Sequence, residues 1–335
     1  MINAILVLDK PAAFTSHDVV NRVRKITGER SVGHLGTLDP MATGVLPLVL
    51  GRFTRLAQFF NDSSKVYEGE ICFGFATDTY DADGEAVGPV STAEPTLEQI
   101  QRLLPALTGR IQQMPPAFSA KKIHGVPAYK LARKDKPVDL QPVEVTVHRF
   151  EIKSVWGNRA RFVAEVSAGT YIRSLAHDLG QSLGCGAHLA QLRRTQAGEF
   201  SLSQSTSLEN LALYHGNPAL NASPAADSIP VAMSDNEYSD KSITEPSQPA
   251  ATAAPVSPYL HPRQILARFP SVTATPEVVT AIRNGRSVNL PEFSDAPLVK
   301  VFANQNLLLA VAQRIAGTLF KPHVVLYGSN EPLPL

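Results

Sequence analysis

The stretch Gly33-His34-Leu35-Gly36-Thr37-Leu38-Asp39-Pro40-Met41-Ala42-Thr43-Gly44-Val45-Leu46-Pro47-Leu48-Val49-Leu50-Gly51 decides the reading of this chain. Its glycines, its prolines and the Asp39-Pro40 step predict a tight loop, and the apolar run Val45 to Leu50 predicts a buried strand behind it. A lone carboxylate, Asp39, is thereby set on a loop held by a rigid element, a common placement for a reacting group. The spacing alone also fits an aspartate that merely opens a turn ahead of Pro40.

Outward from this loop, Ala4 to Leu8 reads as a short buried strand. Thr15 or Ser16 can cap a helix whose apolar positions Val19, Val20, Val23 and Ile26 recur at helical spacing and whose end is marked by Gly28. Phe53 to Phe60 carries a second, shorter helical pattern. From Lys65 to Phe75 the chain alternates, with Tyr67, Ile71, Phe73 and Phe75 on one face and Glu68 and Glu70 on the other, the mark of a half-buried strand. The acidic run Asp78, Asp81, Asp83, Gly84 fails the spacing of a calcium loop, because aligning Gly84 puts Thr79 first and Val90 last. Asp83-Gly84 reads better as a hairpin turn. Thr96 and Gln99 form a capping-box pair ahead of Ile100, Leu103 and Leu104.

Between Gly109 and Lys136 seven basic residues, Lys121 and Lys122 among them, face the single acid Asp135, with prolines, Gly125 and the aromatics Phe118 and Tyr129 interleaved. Such a run fits a solvated face or a phosphate-binding surface. Val143 to Ile152 and Arg161 to Val166 alternate as strands, and Gly169-Thr170 then turns into a helical pattern of Ile172, Leu175, Leu179 and Leu183, which sets Tyr171 and Arg173 near a helix start. Without further information Tyr171 is a rim tyrosine, Arg173 a surface cation, and Leu192, at helical spacing from Leu189, plain core.

At 335 residues, 44% hydrophobic and 18% charged, the chain is long enough for a full core and two domains. The uncharged run near Met41 to Gly51 is too short and broken to span a bilayer, and no basic segment followed by an apolar core opens the chain. Two cysteines, Cys72 and Cys185, without metal-ligand spacing, argue against a disulfide framework or a zinc site and for a reducing cytoplasm. No Walker loop, dinucleotide fingerprint or metal-spaced ligand set occurs, so neither cofactor nor metal is expected. The formal net charge of +1 hides an asymmetry: residues 216–258 hold five acids against one base, leaving the rest moderately basic and open to a polyanionic partner. That segment also holds seven prolines, seven serines and nine alanines, a composition expected to form a disordered linker. Beyond it, a helix over Pro276 to Arg283 closed by Asn284-Gly285, and strands over Leu298–Ala303, Leu307–Gln313 and Val324–Tyr327, predict a small β-rich module.

The loop motif, with Gly33-His34, Gly36, Leu38-Asp39-Pro40 and Thr43-Gly44-Val45-Leu46, resembles the catalytic motif of the pseudouridine synthases, in particular the TruB family that modifies uridine 55 of tRNA. Gly169-Thr170-Tyr171-Ile172-Arg173-Ser174 with Asp178-Leu179-Gly180, and Gly186-Ala187-His188-Leu189 with Leu192-Arg193-Arg194-Thr195, resemble two further motifs of that family in the same order, and the likeness covers residues 4 to 211. It implies an α+β fold, with a mixed, largely antiparallel sheet over residues 1–212, a linker at 213–258, and a PUA-like RNA-binding module at 259–335. A generic small barrel without an RNA role fits the last part equally. The resemblance further implies that Asp39 is the nucleophile, that Arg173 pairs with it, that Tyr67 stacks on the uracil, that Tyr171 and Leu192 line the base pocket, and that His34 fills the space left by the flipped base. Lys121 and Lys122 fall in the insertion, residues 109–136, that clasps the RNA in the family. The implied partner is tRNA through its T arm, bound by a monomer with no protein partner. A binding module that folds RNA without modifying it is the rival reading.

Overall fold

The structure, a computed structural model, describes residues 1–119, 140–216 and 257–333, together with the backbone of 122–123 and 126–127. Lys121 and the linker residues 217–256 lie outside the described residues, and of Lys122 only the backbone is described.

In chain order the strands of the first part are β1 (Ala4–Lys10), β2 (Val32–His34), β3 (Thr43–Leu50), β4 (Lys65–Phe73), β5 (Ala76–Thr77), β6 (Ala86–Val87), β7 (Gly109–Gln113), β8 (Lys122–Ile123), β9 (Val126–Pro127), β10 (Val143–Trp156), β11 (Arg159–Val166), β12 (Ala187–Ala197), β13 (Phe200–Ser201) and β14 (Tyr259–Leu260). Ten of them form one sheet in the order β14-β1-β3-β12-β4-β11-β10-β7, with β2 added to β3 and β13 to β12. Neighbours run antiparallel except β3 with β12. Helices α1 (Ser16–Thr27), α2 (Leu97–Leu103), α3 (Ile172–Leu183) and α4 (Leu208–Tyr214) accompany it, and together they make the α+β architecture expected. No helix among the described residues is long and apolar enough to cross a membrane.

The run Val45 to Leu50 reads as continuously apolar because β3 is covered on both sides. Leu46, Leu48 and Leu50 face a core shared with Val19, Val20 and Val23 of α1, whereas Val45 and Val49 face a second core that includes Ile265, Phe302 and Phe320 of the C-terminal module. Each such side chain contributes about 1.5–3 kcal/mol relative to exposure, so the loop ahead of β3 hangs from one of the firmest elements of the fold.

The helix signals hold at their ends. Thr15 accepts a hydrogen bond from the Asp18 amide at 3.0 Å while the Asp18 carboxylate accepts from the Thr15 amide at 2.9 Å, a reciprocal capping box, and α1 stops at Gly28 with φ +71°. Thr96 and Gln99 make the same box for α2. The pattern at Phe53–Phe60 folds as a 3₁₀ stretch, Gly51–Phe59, tighter than an α-helix.

Several further elements differ from the sequence reading. Asp83-Gly84 does lie in the connection of a hairpin, β5 with β6, but that connection runs over residues 78–85 and is no two-residue turn: Thr77 Oγ1 donates to the Asp81 carbonyl at 2.7 Å and Asp81 bridges to Leu189. The segment that holds Leu189 and Leu192 is the strand β12; a bulge between Leu189 and Gln191 lets two leucines three apart face the same core. Helix α4 continues to Tyr214, so the linker's expected start at 213 falls inside a helix.

After the linker the chain returns first to the ten-stranded sheet, where Tyr259 and Leu260 of β14 pair with Leu6 and Ile5. Only then does it form the second sheet, β15 (Ser271–Thr273), β16 (Val288–Asn289), β17 (Leu298–Phe302), β18 (Leu308–Ala316) and β19 (Leu319–Val325), in the order β15-β17-β18-β19-β16, with α5 (Pro276–Arg283) beside it. The last strand begins five residues before its apolar pattern, since it runs on through Pro322, with a bulge beside that residue in the ladder to β18.

Candidate active site

Asp39 sits in a turn closed by the hydrogen bond from the Ala42 amide to its own carbonyl at 3.1 Å. The turn is fastened on both sides. Ser16 Oγ, the buried first residue of α1, donates to the Leu38 carbonyl at 3.1 Å and accepts from the Leu38 amide at 2.8 Å. Lys10 Nζ, at the end of β1 and fully buried, donates to the carbonyls of Pro11 (2.8 Å), Phe14 (2.6 Å) and Pro40 (3.1 Å). Beyond the turn, Gly44 has φ +100°, and a Cβ there would lie 2.2 Å from the Arg194 carbonyl oxygen, so only glycine lets β3 approach β12 at this point.

Arg173, on the first turn of α3, reaches Asp39 twice. Nη2 donates to Oδ1 at 3.2 Å, and Nε lies 2.9 Å from Oδ2 with its hydrogen directed off the oxygen, so the second contact is ionic rather than a formed hydrogen bond. The same guanidinium pairs with Asp81 Oδ2 at 3.2 Å from Nη1 and donates to the carbonyls of Thr79 (3.0 Å) and Phe118 (3.1 Å). Asp81 is therefore a second carboxylate on Arg173, itself held by Thr79 Oγ1 at 2.6 Å. The run tested for calcium spacing thus contains a residue of the site, and only its distance from α3 in sequence concealed it.

Tyr171 is the extended residue at the N-cap, just before α3. Gln113, fully buried at the end of β7, brackets it: the Tyr171 amide donates to Gln113 Oε1 at 2.8 Å, and Gln113 Nε2 donates to the Tyr171 carbonyl at 3.0 Å. Tyr67 of β4 and Leu192 of β12 are both buried on adjacent paired strands.

These side chains converge. A recess of about 300 Å³ is lined by Asp39, Tyr67, Tyr171, Arg173 and Leu192, with Lys65, Asn61 and Arg194 also on its wall. That is the small end of ligand pockets and suits one base with its sugar rather than a helix of nucleic acid. A larger groove of about 990 Å³ borders the next residues of the loop, Pro40, Met41 and Thr43, and shares Leu192. Five of the eight expected site residues thus meet in one cavity. His34 does not line it: it lies on β2, paired with Leu48, with Nδ1 buried and without a hydrogen-bond partner. Burial, with the nearby Arg194 and His17 charges, lowers its pKa and keeps the ring neutral.

The electrostatics of Asp39 are a balance. Burial raises its pKa above the ordinary carboxylate range, Arg173 pulls it down, Asp81 pushes it up and Lys10 pulls it down, and the net direction is upward. About a third of the side-chain surface still reaches solvent, so the carboxylate is crowded yet open toward the recess. The stabilising pull expected of Arg173 is present and is outweighed by desolvation. Burial likewise raises the Tyr171 phenol.

A paired carboxylate thus stands at the wall of a small recess, with a tyrosine from the central sheet and another from a helix start. The fold is shared with a chain in the structure of an H/ACA RNP bound to a substrate RNA containing 2′-deoxyuridine, with a TM-score of 0.63 at 21% identity over 98% of this chain and 86% of that one. An archaeal box H/ACA sRNP Nop10-Cbf5 complex gives 0.62 at 22%, over 98% and 87%. Residues 24–172 match the TruB family pseudouridylate synthase (N terminal domain), and residues 173–220 the tRNA pseudouridylate synthase B C-terminal domain. The chain is 42% identical to the tRNA pseudouridine synthase B of Solibacter usitatus (strain Ellin6076) over 97% of its length and 100% of that protein, and 39% identical to that of Arthrobacter sp. (strain FB24) over 99% of each. The chain belongs to the TruB family of pseudouridylate synthases, and it is an enzyme, an isomerase.

Proposed function

We propose that this enzyme converts a uridine of tRNA to pseudouridine, uridine 55 of the T arm, with Asp39 as the nucleophile. The observation that carries the reading is the ion pair between Asp39 and Arg173 at the wall of a recess shared with Tyr67, Tyr171 and Leu192. The reaction breaks the bond from ribose C1′ to uracil N1 and joins C1′ to C5; C5 gives up its proton and N1, freed from the sugar, takes one up, so no electrons are gained or lost. One ionised carboxylate suffices as the nucleophile. Arg173 orients it and favours its charged form against the desolvation that opposes ionisation.

A uridine in a folded arm must be extruded to reach the recess, at a cost of a few kcal/mol. Stacking on Tyr67 and apolar contact with Leu192 offset that cost. His34 fills the gap left in the loop of the RNA, a role in keeping with its place outside the recess. Lys121 and Lys122 add phosphate contacts that supply affinity and salt dependence. The C-terminal sheet acts as a PUA-like RNA-binding module, the segment between α4 and β14 is a linker, and the enzyme works as a cytoplasmic monomer without cofactor.

A glycosidase reading is weaker. It requires two carboxylates flanking the scissile bond, and the second carboxylate here, Asp81, is buried against Arg173 and does not line the recess. Release of tritium from C5-labelled uridine in bulk tRNA, followed by mapping of the product, tests the activity and the position together. Release mapped to uridine 55 supports the reading, and uracil set free without pseudouridine supports the hydrolase.

A further inference from the structure

Adjacent arginines on β12 have opposite fates. Arg193 is partly exposed and pairs with Asp9 at 2.6 Å. Arg194 is 1% exposed, among the largest fully buried side chains of the molecule, and makes no ion pair among the described residues. A buried guanidinium without a carboxylate is costly unless dipoles replace its water. Here they do, and all come from one place. Arg194 Nε donates to the Val45 carbonyl at 2.7 Å, Nη2 to Gly36 at 3.0 Å and Nη1 to Thr37 at 3.3 Å.

We propose that Arg194 is a positioning residue for the reaction, a template that holds the two arms of the Asp39 loop at the separation the carboxylate needs. The inference rests on the reading of Asp39 as the reacting group. Gly36 and Thr37 precede Asp39 and Val45 follows it, so one planar fork ties both ends of the loop while the aspartate stands between them. The main chain adds a second tie, because Arg194 lies in register with Gly44 on the parallel neighbour β3. The three carbonyls are met by three different nitrogens of one planar fork, whereas a lysine could offer all its donors from a single nitrogen only, as Lys10 does. Arg194 also lines the recess beside Leu192. Its span therefore fixes the loop relative to the wall that takes the base.

The experiment uses full-length protein and a tRNA transcript, with single-turnover pseudouridine formation, tRNA affinity and the folded fraction by circular dichroism measured for Arg194→Lys, Arg194→Gln and Arg194→Ala. A carboxylate displaced by about 1 Å loses on the order of 10²-fold in rate, and that loss is expected in all three variants per folded molecule, with tRNA affinity unchanged. Added guanidinium or ethylguanidinium should restore part of the rate to Arg194→Ala and none to Arg194→Lys, whose ammonium still occupies the site. The Lys variant retains charge and core volume, so it reports on the fork if the others fail to fold. A folded Arg194→Lys at the parental rate overturns the proposal, as does a loss of activity that follows the folded fraction alone and is not rescued. Asp39→Asn run in parallel separates the two ideas: substantial turnover there removes the reading of Asp39, whereas an inactive Asp39→Asn beside fully active Arg194 variants removes only this inference.

Discussion

Arg173 Nη1 stands 3.2 Å from Asp81 Oδ2, with both side chains nearly out of solvent, while the other edge of the guanidinium faces Asp39. Asp81 thereby fixes the angle at which the arginine meets the Asp39 carboxylate. Asp81→Asn keeps the shape but removes the anion, leaving Arg173 free to shift toward Asp39. The single-turnover rate should fall by about ten- to a hundredfold while tRNA affinity holds. Stability should drop by less than the ~3–5 kcal/mol typical of a buried pair broken outright, because Asp39 and two carbonyls still hold Arg173. A urea midpoint and a rate measured on the same preparation check both parts.

The pH profile should have two limbs. On the acid side the rate needs ionised Asp39, whose pKa is raised by burial, so activity is lost at a higher pH than an ordinary aspartate would allow. On the alkaline side Lys10 is pulled down to about 8, first by burial and then by the Arg194 charge, with Asp39 and Asp18 opposing. Its three ammonium donors match three carbonyls, and loss of a proton leaves one unpaired, the longest being that of Pro40 beside Asp39. The rate should therefore decline above about pH 8. Stability should move the other way in that window: the folded chain releases this proton before the unfolded chain does, so the unfolded state binds more protons between the two values and the Lys10 contribution to stability rises with pH. Denaturation midpoints and rates across pH 7 to 10 (roughly the span of these two lysine values) distinguish the two effects.

The ends of the linker are tied together. His215 Nε2 lies 2.7 Å from the Tyr259 hydroxyl, one just before and the other just after residues 217–256. Replacing that segment by a short Gly-Ser bridge should leave thermal stability and turnover close to the parent. The parent should be cut there first in limited proteolysis. A large loss of turnover in the shortened chain would give the segment a role that its composition does not suggest.

Much of this site was legible in sequence because its chemistry sits next to strong local signals. Asp39 lies in a loop bounded by Gly-Pro punctuation and a doubly buried strand, and Tyr171 and Arg173 lie at a strand-to-helix turn. What stayed hidden depended on contacts far along the chain or on strand parity. Asp81 reads as part of an acidic turn until α3 brings Arg173 to it. Arg194 enters the sequence reading only as part of a motif, and its buried place follows from ordinary strand alternation with Leu192, whereas Leu192 shares a face with Leu189 only through a bulge. Lys10 looks like an ordinary strand-end lysine, and its three carbonyl partners come from turns that no periodicity reveals. The pairing of Tyr259 with Leu6 joins residues separated by most of the chain, and no local pattern announces it.

Neutralising Lys121 and Lys122 together tests the RNA-clasping insertion. Each lost phosphate contact should reduce the slope of log K against log salt by about 0.7–0.9, and affinity at low salt should weaken while the single-turnover rate of bound tRNA stays the same. An unchanged slope would return this segment to a solvated face.

The central claim is that Asp39 reacts, and Asp39→Asn tests it most directly. Asn preserves the size and the turn but has no anionic oxygen. It also removes a charge that burial disfavours: the native state holds the Asp39 proton to higher pH than the unfolded chain, so the ionised group penalises folding at neutral pH, and Arg173 keeps Asp81 as a partner. The variant should therefore be at least as stable as the parent at pH 7 (the neutral range, above an ordinary carboxylate by about three units). The decisive measurement is pseudouridine formation in tRNA by Asp39→Asn under single-turnover conditions with tRNA binding shown on the same sample. The account predicts a folded protein that binds tRNA as the parent does and makes no pseudouridine; substantial product from that bound complex would contradict it.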